Sequence, residues 1–372
     1  MSALLDEFGI GDAQERAESW RYSANALRAL ERQEFTVADS HADLPQALID
    51  RLSWPQSNAE RLVFINGALS TRHSTAGVIE SLVKLSNENA RVVLTVGSTQ
   101  TNPLHIVYAN IAGDFPGRWR TECDVDVTDG SATILEEHVG DDGVDVVGSV
   151  SSNVSIGPNA TLNVFTIGDI PPSVSLSRRL HVRVGSHATF NSTHALAGGR
   201  LQRFDIACDL AEAHARCAGR GVFAPSSREH IDIHLDVRHV ARDTASDVLW
   251  RGIADQRGRG ILRGAITVAQ GADGADAQLQ TKNLLLSSHA EIDAQPVLEI
   301  YADEVKASHG ATVGQLDEQS LFYLRSRGIP RAEARALLIA GFAREAFGFA
   351  EGAMRERFDA WLVSHRHEAI AP

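Results

Sequence analysis

GSATILEEHVGDDGVDVVGSVSSNVSIGPNATLNVFTIGDIPPSVSLSRRLHVRVGSHATF, residues 130–190, carries the same short phrase three times. Ala132-Thr133-Ile134, Ala160-Thr161-Leu162 and Ala188-Thr189-Phe190 start 28 residues apart, and each follows a Gly-containing turn. A turn and strand returning at a fixed interval is the pattern of a β-solenoid coil, with small residues where coils stack closely. Fainter echoes at His289–Ile292 and Gly310–Val313 are out of phase. A β-sandwich, with turn signals every ~8–12 residues, is the competing architecture.

The texture around this stretch divides the chain. Residues 1–89 read as a mostly helical N-terminal region. Apolar positions Trp20, Ala24, Leu27 and Leu30 lie on one face of a helix over 13–32, and further helices are expected over 43–53 and 71–85. A short strand at Arg61–Ile65 closes on an Asn66-Gly67 turn signal. Residues 90–314, with short β-branched runs between Gly, Asp, Asn and Ser, form the solenoid core. Residues 315–372 form a helical C-terminal region. Asp317 is the expected N-cap of its first helix, Gly328 the stop and Pro330 the start of the next. The bulky run Phe322-Tyr323-Leu324 is too wide for one core-facing stripe, so some of it is available to a partner.

The 372 residues are 43% hydrophobic, enough for a sizeable core. Net charge is −13 without a basic run, which argues against nucleic acid and against anionic membrane surfaces. No apolar stretch reaches the ~18 residues of a span, and the acidic N-terminus lacks a signal-peptide core. Cys123, Cys208 and Cys217 form neither a C-x-x-C motif nor a disulfide framework. These features together read as a cytoplasmic protein.

Little catalytic apparatus is visible. G-x-S-x-G, H-E-x-x-H and Walker A sequences are absent, and Arg257–Gly260 and Gly271–Asp276 read as turns between coils. In Glu229–His239, Ile231, Ile233, Leu235 and Val237 face one way and His230, Asp232, His234 and Asp236 the other. Alternate side chains there stand ~7 Å apart, so this row is either a metal-binding set or, the preferred reading, a solvated or partner-facing strand face. His309, in a Gly-flanked turn beside Ser308, is by spacing alone a structural hydrogen-bonder more readily than a ligand.

Lys282–Leu286, Pro296–Asp303, Ser308-His309-Gly310-Ala311-Thr312-Val313-Gly314 and Leu321–Ile329 resemble, in order, the corresponding blocks of the SufB/SufD family of iron–sulfur cluster assembly proteins, on its SufD side. Looser similarity runs upstream through Trp20-Arg21-Tyr22, Val63–Gly67, Glu136-Glu137-His138 and His230–Trp250. The resemblance implies a right-handed parallel β-helix between helical ends and a non-catalytic scaffold role. It implies pairing with a SufB-like subunit and docking of a SufC-like ATPase through Phe322, Tyr323, Leu324, Arg325 and Arg327. It makes His309 the candidate ligand for a nascent iron–sulfur cluster shared with a partner cysteine. No cofactor is expected on the chain alone, and ATP only through the ATPase. Ala307 stands where some SufD sequences have Cys, so His309 has no thiolate on its own strand. A SufB-type scaffold of the same family, a self-associating solenoid, homodimeric in isolation, and a solenoid enzyme using the His230/Asp232/His234 face remain the alternatives.

Overall fold

The computed structural model describes residues 19–52, 60–85, 91–97 and 102–365. The acidic residues 1–18, which include the start of the helix expected from residue 13, lie outside these, as does Ser53. Two sheets share the strands from Glu60 to Gly314, and the main hydrophobic core lies between them. From Arg91–Val96 onward each strand pairs in parallel with the strand two places further along the chain. One strand per coil thus goes to each sheet, which defines a parallel β-solenoid. The first sheet runs from Arg91–Val96 to Glu291–Ile300 and the second from Glu60–Ile65 to Lys306–Gly314. The ladder therefore reaches back into the segment expected to be mostly helical. Asn66 and Gly67, both at positive φ, turn Glu60–Ile65 into the antiparallel Ala68–Leu69.

The repeat is real, but its first interval is two residues longer than the phrase suggests. Thr161 pairs with Thr189, 28 residues on, whereas Ser131 pairs with Thr161, 30 residues on. Ala132 therefore faces Leu162 across the ladder and not Ala160. Because the slip is even, every side chain keeps its face. The small-residue column runs at the corner just before the strands: Ala160, Ala188, Ala215, Thr244 and Ala275, all buried. Their carbonyls accept from the first amide of the next coil, as in Thr189 N to Ala160 O and Arg216 N to Ala188 O, both 2.9 Å. Beside this column Asn159, His187, His214, Asp243 and Gly274 all take positive φ. Asn, Asp, His and Gly are the residues that tolerate this conformation, and its repetition keeps successive turns in register.

Helices cover the outer face of each sheet. Ala24–Glu31, shorter than expected, sets Leu27 and Leu30, with Trp20, against Val147 and Leu201 of the first sheet. Gln46–Arg51 and Ala76–Leu82 are the only helical parts of the next two expected helices. On the second sheet, Arg331–Arg344 and Gly352–Ser364 bury Ile339, Ala343, Phe358 and Trp361 against Phe165, Ile167, Ala195 and Val222. Fully burying a side chain of Phe358's size contributes ~1.5–3 kcal/mol. Charge fixes the same interface: Arg357 donates to the buried Glu137 (2.6 Å), which also meets His105 (2.9 Å). Arg251 pairs with Glu345 (2.7 Å) in the same way.

Candidate functional site

The solenoid ends uncapped. Lys306–Gly314 is the last strand of the second sheet and pairs only with Asp276–Leu285, so its outer edge has no strand partner among the described residues. His309 lies opposite Leu279, which lies opposite Val248, and both of these are buried in the core. The imidazole thus occupies an inward-facing position on a coil with no successor, and the same register that buries Leu279 leaves His309 exposed. Ala311 and Val313 follow on the same face of the strand. Across the lumen, Leu298 and Ile300 of the first sheet are likewise only partly covered. The result is a histidine in a rim of small and apolar side chains beside free backbone groups.

Thiolates are far from it. Ala307 shares its column with Ala277, Ser246 and Cys217. Three coils separate Ala307 from Cys217, or ~14 Å at the usual strand spacing. Cys123, Cys208 and Cys217 are all free and buried, and burial pushes the Cys123 thiol up to about 12. A soft cluster at His309 would have to draw its sulfur ligands from another chain.

The adjoining helix Glu318–Ser326 is capped as expected: the Asp317 carboxylate accepts from Gln319 N (3.2 Å) and Ser320 N (3.0 Å), and Gly328 ends it at φ +86°. Of its bulky residues Leu321 is the buried one. Phe322 and Tyr323 are 72% and 57% exposed, Leu324 is half-buried, and Arg325 and Arg327 are exposed. Arg327 lies over the Tyr323 ring and donates to its hydroxyl (3.2 Å), which pre-orders an aromatic and cationic surface.

The His230/Asp232/His234 row is not solvated, because the N-terminal segment closes over it. Ser23 Oγ donates to the Asp232 carboxylate and lies 2.8 Å from His230 Nε2, which therefore carries a proton. Arg203 donates to Asp232 (2.8 Å) and to the Ser19 carbonyl (3.0 Å), and its guanidinium stacks on Trp20. Another Arg203 nitrogen lies 2.9 Å from His234 Nδ1, which must accept. Burial opposes charge on Asp232, but Arg203 and His234 more than offset this and hold its carboxyl below the usual range. Ser23, His230 and Asp232 are not a nucleophilic triad: the carboxylate contacts the serine and not the His230 imidazole, and all three are buried. Among the described residues no group of three or more His, Cys, Asp or Glu side chains is arranged to hold a metal ion.

A second buried polar cluster sits inside the lumen, and its one local signal is the run Glu136-Glu137-His138. Arg178 grips both Glu136 oxygens at 2.8 Å, and His138 lies 2.7 Å from the same carboxylate. Burial alone would raise the Glu136 carboxyl, yet Arg178 and His138 keep it well below its ordinary value. Two coils beyond Glu136 on the same ladder, burial lowers His194 to about 4, and its ring stacks on Trp250.

A parallel solenoid with an uncapped last coil and helices bound to both outer faces has the build of an assembly subunit. The family profile described as SUF system FeS cluster assembly, SufBD core domain, matches residues 122–342, and the chain belongs to that family. It is 29% identical over 70% of its length to the iron–sulfur cluster assembly protein SufD of Escherichia coli. A SufBD family protein of Synechocystis is 24% identical over 89% of the chain, and one of Mycobacterium bovis 32% identical over 64%. The chain spans 62% of the length of the E. coli protein, 82% of the Synechocystis one and 61% of the M. bovis one. The family match includes both His309 and the helix Glu318–Ser326. In the described residues no helix is long and apolar enough to cross a membrane.

Proposed function

We propose that this chain is the SufD-like, non-catalytic half of an iron–sulfur cluster assembly scaffold. Its uncapped last coil pairs with a SufB-like subunit, and Phe322, Tyr323, Leu324, Arg325 and Arg327 dock a SufC-like ATPase. A nascent cluster is the cargo of the joint and not a resident cofactor: His309 supplies one imidazole ligand and a cysteine of the partner supplies thiolate. ATP enters only through the ATPase. The observation that carries the reading is His309 on an inward position of an edge strand, exposed for want of another coil. Free strand edges pair readily with other strands, which supports docking of a second solenoid there and leaves the same edge open to a second copy of the chain in isolation.

The test is co-purification of the tagged chain from its host, with iron and acid-labile sulfide measured on wild type and His309→Ala. The variant is expected to retain both partners, fold normally and lose most of the cluster. A normal cluster load on a partner-bound variant removes His309 from the ligand set. Failure of the wild type to capture a solenoid partner removes the scaffold reading.

A further inference from the structure

Where strands of the second sheet turn back into the first, two consecutive coils place an arginine at the same station and the next coil a histidine. His230 pairs with Arg259, which pairs with Glu291; two residues earlier in each chain, Arg228, Arg257 and His289 therefore stand in one column. Arg257 N to Ser227 O and Glu291 N to Gly258 O, both 3.1 Å, hold the turns in that order. Coils stack ~4.8 Å apart, so the column is ~10 Å long. All three side chains are exposed. Among the described residues none of them makes a recorded ion pair, whereas neighbouring Arg259 meets Glu291 and Asp293, and Arg200 grips Asp145 at 2.6 and 2.7 Å. Two arginines in line without a carboxylate partner among the described residues are unexpected in a chain of net charge −13.

The column lines a groove of about 1050 Å³ that also takes in Pro172, Gly199 and Arg200 of the preceding turns and Ala29 of the N-terminal helix. Ser227, Gln256 and Ser287 add polar groups along it. The one carboxylate in the lining, Glu229, is turned into the fold: it accepts from Ser226 N (2.8 Å) and Gly198 N (3.3 Å). It leaves the cations uncompensated.

We propose that this groove binds a linear di- or triphosphate group. Guanidinium forks match phosphate oxygens in pairs, and closely spaced phosphates along a line can engage successive coils at once. A single phosphate reaches only part of the column. The carboxylates of an acidic strand recur every ~7 Å on one face, out of step with coils ~4.8 Å apart. The phosphate chain comes either as free inorganic di- or triphosphate or as the end of a nucleotide, and the assay separates the two.

The full-length protein is titrated calorimetrically at low salt, without divalent metal, using pyrophosphate, inorganic triphosphate, ADP and ATP as probes and sulfate as control. Saturable one-to-one binding that weakens with added salt is expected, with triphosphate stronger than sulfate by at least tenfold. The double variant Arg228→Glu/Arg257→Glu should weaken it at least tenfold at unchanged melting temperature, since neither side chain has an ion-pair partner among the described residues. Equal binding of inorganic and nucleoside phosphates supports the free chain as ligand, and tighter nucleotides support the nucleotide. Absence of saturable binding, sulfate binding as well as triphosphate, or a double variant indistinguishable from wild type overturns the proposal. Partner capture by the last coil does not depend on these residues, so the two readings fail separately.

Discussion

Replacing Arg178 by Met should destabilise the solenoid more than its removed contacts suggest. Arg178 and Glu136 are 5% and 6% exposed and joined by two bonds of 2.8 Å. At an effective dielectric near 20, opposite charges ~4 Å apart attract by about 4 kcal/mol. Breaking a buried pair from one side generally costs ~3–5 kcal/mol, because the orphaned charge stays buried. His138 remains 2.7 Å from the carboxylate, so the lower end, about 3 kcal/mol, is expected. The double variant Arg178→Met/Glu136→Gln strands no charge and should recover most of that loss. Urea unfolding of wild type, both singles and the double, followed by circular dichroism at pH 7, gives the coupling directly. The pH dependence supplies a second reading. In the wild type the Glu136 carboxyl is depressed, so its contribution is present above the unfolded carboxylate pKa and is lost as pH falls through the folded value. In Arg178→Met the orphaned carboxyl should titrate higher, and its protonation relieves the penalty, so the gap to wild type should narrow between pH 7 and 5. A single variant within about 1 kcal/mol of wild type, or a double as unstable as the single, would refute the reasoning.

Burial holds His194, His230 and His239 each at about 4 in the folded chain, against 6.5 for the free side chain. Between those values the unfolded chain binds more protons, so stability should fall as pH drops from about 6.5 to 4, by up to about 3 kcal/mol for His194 alone. A urea midpoint that stays flat over that window, or a slope unchanged in His194→Leu, contradicts this. At Gly221 an added Cβ would lie 2.5 Å from the Trp250 ring, so Gly221→Ala should cost ~1–3 kcal/mol by overpacking, and Trp250→Leu in the same chain should restore part of it. An undiminished melting temperature in the single variant would show that the indole has room to move. Phe322→Ala and Tyr323→Ala, both on exposed positions, should leave stability within about 0.5 kcal/mol and yet weaken capture of the ATPase about tenfold or more. Equal capture by these variants would move the docking surface elsewhere.

The repeat and the caps of the C-terminal helices were legible because they are local. Ala-Thr-apolar phrases, an Asp followed by helix formers, and a Gly at the helix end each state their conformation within a few residues. The 30-residue interval between Ser131 and Thr161 was hidden because the corner, not the strand phrase, carries the stacking alanines. The helical reading of the first 89 residues missed that Glu60–Ile65 joins the sheet through Leu104–Asn110, a pairing that no local pattern announces. The fate of the His230 row was equally out of reach. Its buried partner, Ser23, is 207 residues away, and the alternation of Glu229–His239 says only that one face is polar, not what covers it. Glu136 and Arg178 belong to opposite sheets, so their bond exists only once the coils are wound. His309 was singled out by its setting and by resemblance. The register adds the reason it is exposed: it occupies a core station at the point where the core stops.

That unfinished end has a consequence for how the molecule lives on its own. In a stack where each coil is held by its two neighbours, the terminal one has half the support and should open most often. A second solenoid seated there would be, in mechanical terms, the missing next rung. Association and completion of folding would then be one event, and the strand bearing His309 would exchange its amide hydrogens quickly in the lone chain and slowly in the joined one. On the proposed reading, a cluster ligand placed on such a strand would acquire its final geometry only when both subunits were present, so the joint itself would decide when iron can be held.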